Sequence, residues 1–174
     1  MRHERAVAAL SGLAVAGALT ATAIWAAPAG AGSTAPRCRA AEMSAGLANP
    51  EGAAGSLYIK IVFRSRSGHR CVLAGRPGVS FVAGDDGHQV GSSARRNLDR
   101  PVVVVTLDPG ERAKALLRIS NQGNYPAARC KPKKARGLRV YPPGSFVAMY
   151  IPDAQTVCSS TVIRQMTIDP VRHG

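Results

Sequence analysis

The chain has 174 residues, a length that accommodates one domain and excludes a string of independently folded domains. Its 23 lysines and arginines outnumber 10 acids and give a formal net charge of +13. A charge this high indicates contact with polyanions, although surplus cations can also serve only to keep a protein soluble.

The amino terminus has the form of a secretory signal peptide. Two arginines precede an uncharged, alanine-rich run over residues 6–36, which matches a positive n-region followed by an apolar h-region. We predict a signal peptide over residues 1–31, with cleavage after Ala31 and with Ala29 as the alternative. An uncleaved membrane anchor is the other interpretation, but the many alanines, glycines and threonines make such a span weakly hydrophobic.

Cleavage would leave a flexible lead-in over residues 32–37 and one folded domain over residues 38–174. Because cleavage removes only two cations and one acid, the domain itself stays strongly basic. We expect an exported protein of this charge to meet anionic cell-wall polymers or lipid headgroups rather than nucleic acid. A protein partner is a further possibility for such a domain.

The first clear strand signal covers residues 57–63. Leu57, Ile59, Ile61 and Phe63 occupy every second position, which predicts a strand with one face on the core. Asparagine, proline and glycine ahead of this segment mark a turn.

The strongest strand signal covers residues 102–120. Its first part, residues 102–107, is β-branched and uncharged, which is typical of a strand buried on both faces. In residues 112–120 apolar and polar residues alternate, as in a strand with one face in water. Pro109 and Gly110 between the two parts suit the central positions of a type II turn. We therefore predict a β-hairpin.

Residues 121–134 are predicted to form a long loop, and the remaining strand patterns are short. They cover residues 71–73, 79–82, 88–90, 138–141, 146–151 and 163–168. Eight or nine short strands without a long helix indicate an all-β fold, a single antiparallel β-sandwich of the immunoglobulin-like type. The predicted core comprises Ile59, Ile61, Phe63, Val103, Val105, Leu117, Ile119, Val140 and Ile168.

The cysteines Cys38, Cys71, Cys130 and Cys158 form an even set, which in an exported chain indicates disulfides. No two of them have the CxxC spacing of a zinc site or a thioredoxin-type centre. Of the three possible pairings we predict Cys38–Cys71 and Cys130–Cys158, because the central hairpin separates these couples and each disulfide then braces its own half. Closing loops of this size contributes about 3–4 kcal/mol per disulfide in the chain-entropy description.

Four segments of the domain carry a resemblance to a known family. They are Cys71-Val-Leu-Ala-Gly-Arg-Pro-Gly-Val79, the Leu107-Asp-Pro-Gly110 turn, Asn124-Tyr125-Pro126 ahead of Cys130, and Leu138-Arg-Val-Tyr-Pro-Pro143. In this order they resemble the exported actinobacterial domain of unknown function that carries the number 4232. The resemblance implies a secreted or envelope-attached β-sandwich and brings no established activity or catalytic residue. Some relatives are lipoproteins, whereas this chain has no lipobox ahead of Cys38.

Residue types that carry catalysis or bind metals are scattered. The acids of the domain lie in turns or beside prolines, and His69, His88 and His173 have no partner at ligand spacing. A copper site of the cupredoxin type would need Cys158, Met166 and His173 to converge, and their spacing is too wide. We expect no catalytic residue, no cofactor and no metal, and hence a protein that is not an enzyme. A triad assembled from distant positions would leave no sequence motif.

One group of cations has the character of a binding site. Six cations fall within eleven residues without an acid, and Tyr125 and Tyr141 flank them. We call this group the basic cluster; it consists of Arg129, Lys131, Lys133, Lys134, Arg136 and Arg139. It is either a solvated loop or a docking surface for phosphate-bearing polymer or anionic lipid.

Two classes of function follow from these features. The first is a secreted or cell-envelope protein that is not catalytic and acts as a binding or structural module with a basic surface. The second is an exported inhibitor or partner-binding protein whose disulfide-braced loop over residues 121–136 inserts into an enzyme cleft. High salt separates the two, since screening weakens polyanion binding and leaves a shape-fitted loop in place.

The predicted signal peptide determines the mass of the mature protein. We expect the intact mass of protein recovered from the medium to correspond to a chain that begins at Gly32, because small residues occupy positions 29 and 31. Full-length chain in the membrane fraction would instead identify the segment as an anchor.

Overall fold

The computed structural model describes residues 35–174, which form twelve strands and three short helices. The strands are β1 (Met43–Ala53), β2 (Ser56–Ser65), β3 (Cys71–Ala74), β4 (Gly78–Ala83), β5 (His88–Val90), β6 (Arg95–Arg96), β7 (Val104–Leu107), β8 (Arg112–Ser120), β9 (Pro132–Tyr141), β10 (Met149–Cys158), β11 (Met166–Ile168) and β12 (Arg172–His173). The helices are the 3₁₀ turns Ala40–Glu42 and Gln122–Asn124 and the α-helical turn α1 (Ala127–Cys130).

The amino-terminal predictions concern a different part of the chain. The signal peptide over residues 1–31, its cleavage points and most of the lead-in over residues 32–37 lie outside the described residues. From residue 35 onward, no helix is both long and apolar enough to cross a membrane.

The strands form two larger sheets and one small one. The six-stranded sheet has the order β1-β2-β8-β11-β6, and β12 continues along β8 beyond β11. The four-stranded sheet has the order β10-β9-β4-β5, and β3 pairs with β7. All strand pairs are antiparallel except β11 with β6. The predicted all-β, antiparallel β-sandwich is therefore confirmed, whereas its immunoglobulin-like topology stays a prediction.

One apolar core joins the three sheets. On β2 the side chains of Ile59, Ile61 and Phe63 are buried, as the alternation predicts, and they lie beside the buried side chains of β8. Leu138 and Val140 on β9 and Val105 and Leu107 on β7 join the same cluster. Eight of the nine predicted core residues are buried, and the exception is on the segment before β7.

The predicted β-hairpin of residues 102–120 is wrong, although its turn is present. The Glu111 N–H donates to the Asp108 carbonyl at 3.0 Å, and Gly110 has a φ of 85°. However, β7 pairs with β3 and β8 pairs with β2, so the turn connects two sheets. The physical reason is that both edges of β8 are occupied, one by β2 and the other by β11 and β12.

The prediction that residues 102–107 are buried on both faces is also wrong. Val103 is 42% exposed and Val104 is 65% exposed. Only Val105 and Leu107 face the core, because the small β3–β7 sheet is covered on one side. Val103, predicted as a core residue, therefore lies at the surface.

Both predicted disulfides are present. Cys38–Cys71 joins the segment before β1 to the start of β3, with 4.9 Å between the Cα atoms. Cys130–Cys158 joins α1 to the end of β10, with 4.5 Å between the Cα atoms. All four cysteine side chains are buried, so the bridges belong to the packed interior.

Several boundaries differ from the predicted ones. The predicted long loop over residues 121–134 contains a 3₁₀ turn and α1, and β9 already begins at Pro132. The predicted strand over residues 146–151 begins only at Met149. β1, for which no strand was predicted, has a break in register between Ala48 and Glu51. The break lies beyond Met43, Ala45 and Leu47, which alternate along β1 and contact the core.

A pair of substitutions tests the faces of these strands. Leu117 is fully buried and Val103 is half-exposed. We expect Leu117→Ala to lower the free energy of unfolding by about 2–5 kcal/mol, because it removes buried methyl groups and leaves a cavity. Val103→Ala should cost less than about 0.5 kcal/mol, as exposed sites generally do. Urea unfolding measures both, and equal losses would contradict the placement of Val103.

Candidate functional site

The basic cluster does not lie on a loop. Arg129 belongs to α1, and Lys131 ends that helix with a positive φ of 50°. Lys133, Lys134, Arg136 and Arg139 lie on β9. The helical turn and the strand together spread the six cations over more than one face of the domain.

Three members of the basic cluster have partners from other strands. The Arg136 guanidinium lies over the Tyr150 ring at 5.1 Å from its centroid, and its Nη1 is 3.5 Å from Asp85 Oδ1. Lys133 Nζ lies 3.2 Å from His88 Nε2. Asp85 and His88 come from the β4–β5 hairpin, so tertiary structure supplies an acid that the local sequence lacks.

Arg139 is the most enclosed of these cations. Its guanidinium lies 6.0 Å from the Tyr141 ring centroid, and Nη2 donates to Gln89 Oε1 at 3.2 Å. The flanking Tyr125 packs instead against the Cys130–Cys158 disulfide. No signal in the sequence points to Tyr150, because this residue is eleven positions from Arg139 along the chain. In the structure Tyr150 on β10 is the direct partner of Arg139 on β9.

Tyr150 is held in place by a close backbone approach. Its hydroxyl donates to the Arg136 carbonyl at 2.9 Å, and its ring covers Gly137. A Cβ at Gly137 would lie 2.7 Å from the Tyr150 ring and would also meet the Ile151 carbonyl oxygen. The glycine is thus what allows the aromatic platform under Arg136 to form.

A larger basic surface lies on the outer face of the six-stranded sheet. On β8, Ala113, Ala115 and Leu117 point into the core, so the residues between them point outward. The same alternation on β2 turns Lys60 and Arg64 to the outside. We call this surface the sheet face; its cations are Lys60, Arg64, Arg95, Arg112, Lys114, Arg118 and Arg172.

Strand register places cations of the sheet face directly side by side. Arg64 is the partner of Arg112, and Lys114 is the partner of Arg172. Arg95 and Arg118 flank Thr167 in a third row. Like charges in directly opposite cross-strand positions destabilise a sheet, so this arrangement opposes folding.

Few acids of residues 35–174 approach the sheet face. The ion pairs of these residues join Arg70 to Asp108, His88 to Asp86, Arg100 to Asp169 and Arg136 to Asp85, and none includes a cation of the sheet face. Hydrogen bonds from Arg70 lower the pKa of Asp108, and a hydrogen bond from His88 lowers the pKa of Asp86. Asp169 borders the sheet face, because its N–H donates to the Leu116 carbonyl at 3.0 Å, and Glu51 lies opposite Tyr58 at the β1 edge.

A small pocket of about 160 Å³ opens on the sheet face. Lys60, Lys114 and Arg172 line it together with the Arg100–Asp169 pair. Asp169 accepts from Asn97 Nδ2 at 2.7 Å and pairs with Arg100 Nε at 3.0 Å, so its charge is already compensated. The pocket therefore offers net positive charge to a group of the size of a phosphate.

A groove at the β1–β2 turn has a different chemistry from the pocket on the sheet face. It measures about 560 Å³ and is lined by small residues and by polar side chains such as Gln122, Gln155 and Gln165. No ionisable side chain lines it. Gln165 is occupied structurally, because its amide bonds to the Ser120 carbonyl and to the Cys158 N–H.

The histidines do not converge. His69 bonds to Ser67 within its own loop, His88 contacts Asp86, and His173 lies on β12. Among the described residues, no three metal-ligating side chains form a group that could hold an ion.

Comparison with known families places this domain. A profile described as a domain of unknown function, DUF4232, matches residues 38–172. The chain belongs to the DUF4232 family. No curated protein and no solved structure matches the chain. The DUF4232 match contains both disulfides, the basic cluster and the sheet face, so both basic surfaces are parts of the family domain.

Two glycine substitutions test the Tyr150 platform. We expect Gly137→Ala to lower the free energy of unfolding by about 1–3 kcal/mol, because the added methyl group overpacks the site. Gly46→Ala is the matched control, since its Cβ would have no neighbour within 4 Å. Urea unfolding compares the two variants. If Gly137→Ala proved as stable as Gly46→Ala, the ring of Tyr150 would not lie on this glycine.

Proposed function

We propose that this DUF4232 domain is an exported, non-catalytic module that binds a phosphate-bearing polymer of the cell envelope on its sheet face. The two disulfides support export, since disulfides persist in oxidising compartments.

The observation that carries the proposal is the placement of like charges side by side on the sheet face. Arg64 lies opposite Arg112, and Lys114 lies opposite Arg172. Without counter-anions each pair costs stability. A phosphate between two such cations replaces repulsion with charge-assisted hydrogen bonds, which arginine can make in bidentate form.

The spacing of the sheet face suits a polymer. On β8, Arg112, Lys114 and Arg118 point in the same direction at steps of two and four residues, and two residues of a strand span about 7 Å. A second line of cations on β2 lies one strand away, at about 5 Å. A flexible polyanion can therefore meet several cations at once, and linked contacts of this kind reinforce one another.

The pocket on the sheet face gives one phosphate a defined place. Lys60, Lys114 and Arg172 approach it from three strands. The pocket also distinguishes this surface from a uniformly charged plane. A phosphate bound in the pocket is partly shielded from water, and charge interactions are stronger there than in bulk solvent.

The basic cluster remains the second candidate for the same ligand. Its Lys131, Lys134 and Arg129 form no ion pair with an acid of the described residues. However, Arg136 pairs with Asp85, and Arg139 is hydrogen-bonded to Gln89, so part of its charge is compensated. The inhibitor alternative has less support, because residues 121–136 form helical turns and a strand rather than an extended loop.

A charge-matched pair of variants tests the proposal. One replaces Lys60, Arg64, Lys114 and Arg118 by serine; the other replaces Lys131, Lys133, Lys134 and Arg136 by serine. Both lose four positive charges. We expect the sheet-face variant to lose at least about tenfold in affinity for poly(glycerol phosphate) at low salt, with a shallower salt dependence, by analogy with phosphate contacts in nucleic acids.

The outcomes separate the alternatives. A loss confined to the second variant would assign the ligand to the basic cluster, and equal losses would show that net charge alone is responsible. Urea unfolding controls for folding, and the sheet-face variant should be at least as stable as the parent, since it removes like-charge repulsion. No binding by the parent at low salt would refute the polymer-binding function.

A further inference from the structure

The connection between β9 and β10, residues 142–148, presents an apolar tip to solvent. Phe146 is 99% exposed and Val147 is 63% exposed. Because the Phe146 side chain is not removed from water, it contributes no hydrophobic stabilisation to the fold. Most soluble proteins expose single apolar residues, so the surroundings of this tip decide whether it has a role.

The tip is held out by its own backbone. Pro142 and Pro143 at its base are buried, and the Ser145 N–H donates to the Pro142 carbonyl at 3.0 Å. The Val147 N–H donates to Ser145 Oγ at 3.0 Å. These contacts close a tight turn that places Phe146 at its tip.

Arginines surround the base of the tip. Arg76 and Arg96 line a pocket of about 240 Å³ together with Pro143 and Gly144. Arg37 reaches the same place, since a Cβ on Gly144 would lie 2.7 Å from its Nη1. Arg37, Arg76 and Arg96 form no ion pair with an acid of residues 35–174.

A second apolar side chain belongs to the same end of the domain. Arg76 donates to the carbonyls of Asn97 and Arg100, both at 2.6 Å, and so fixes residues 97–100 beside the pocket. Leu98 in that segment is 77% exposed. Asp99 is the one acid among residues 97–100, whereas three arginines, Arg37, Arg76 and Arg96, lie at the base of the tip.

We propose that this end of the domain docks on an anionic lipid surface, with Phe146 and Val147 inserted among the acyl chains. Apolar side chains at a tip, with cations just behind them, match the layers of a bilayer surface, in which acyl chains lie beneath anionic headgroups. Arg37 and Arg96 then lie at the level of the lipid phosphates. A protein pocket would accept Phe146 as well, but three arginines without an acidic partner at the base of the tip favour the lipid.

Two signals acting together make such docking effective. A single small apolar insertion gives only weak, reversible binding, and basic residues near the headgroups add to it. The docking surface adjoins the sheet face at β6 and at Arg100 but relies on other side chains, so it extends the proposed function and does not depend on it.

Fluorescence on vesicles tests the insertion. The mature protein, which begins at Gly32 and so lacks Trp25, carries Phe146→Trp, and its one indole therefore reports on the tip. With vesicles of one part phosphatidylglycerol to three parts phosphatidylcholine, we expect a blue shift of the emission and protection from an aqueous quencher. An unchanged emission spectrum in the presence of bound vesicles would overturn the proposal.

Vesicle sedimentation tests the side chains. We expect Phe146→Ser to lower partition onto the same vesicles at least about fivefold. Val162→Ser, at an exposed valine between β10 and β11, should partition like the parent. Arg37→Gln with Arg96→Gln should lower partition onto phosphatidylglycerol vesicles only.

Further outcomes separate this proposal from the proposed function. The serine variant of the sheet face should keep the blue shift, and Phe146→Ser should keep its affinity for poly(glycerol phosphate). Parent-like partition of Phe146→Ser, or equal partition of the parent onto neutral and anionic vesicles, would contradict anionic lipid docking. The tip would then be a candidate for a protein pocket instead.

Discussion

The antiparallel pairing of β2 with β8 is the constraint on which the rest of the fold depends. Nine residue pairs hold the two strands in register, from Ser56 with Ser120 to Arg64 with Arg112. Because side chains alternate, this register turns Ile61, Phe63 and Leu117 into the core and their neighbours to the outside. The core and the sheet face are therefore two sides of one pairing. A slip by one residue would exchange them.

Because both edges of β8 are occupied, the preceding strand in the chain must pair elsewhere. β7 is left to pair with β3, and a two-stranded sheet has little stability of its own. The segment before β1 supports it: the Cys38 N–H donates to the Val72 carbonyl at 3.0 Å, and the Val72 N–H donates to the Pro36 carbonyl at 2.8 Å. The Cys38–Cys71 disulfide fixes this arrangement. One bridge thus braces the weakest sheet, and the other joins α1 to the edge strand β10.

This framework explains how the domain tolerates unfavourable surfaces. Like charges lie opposite each other on the sheet face, and Phe146 stands in water at the tip. Neither feature contributes to folding, and the buried core and two disulfides must offset the cost of both. A binding role is the simplest explanation for surface features that destabilise the fold and have no structural function. The two surfaces differ in chemistry, and we propose that they bind two different anionic ligands.

Local features of this protein were predictable from the sequence. The alternation in β2 and β8 identified the buried faces, Pro109 and Gly110 identified the turn, and four segments identified the family. The disulfide pairing was also correct, because each bridge joins cysteines about thirty residues apart within its own half. These features depend on residues that are near each other in the chain or on patterns that each strand carries alone.

Only the tertiary structure decided which strands are neighbours. Residues 102–107 read as a buried strand, but competition for the edges of β8 sent β7 to another sheet and left Val103 exposed. The basic cluster read as free of acids, but the β4–β5 hairpin brings Asp85 to Arg136. The cations of the sheet face are scattered from residue 60 to residue 172, and only strand register places them side by side. Pairing between distant strands depends on the packing of the whole domain, so no local pattern encodes it.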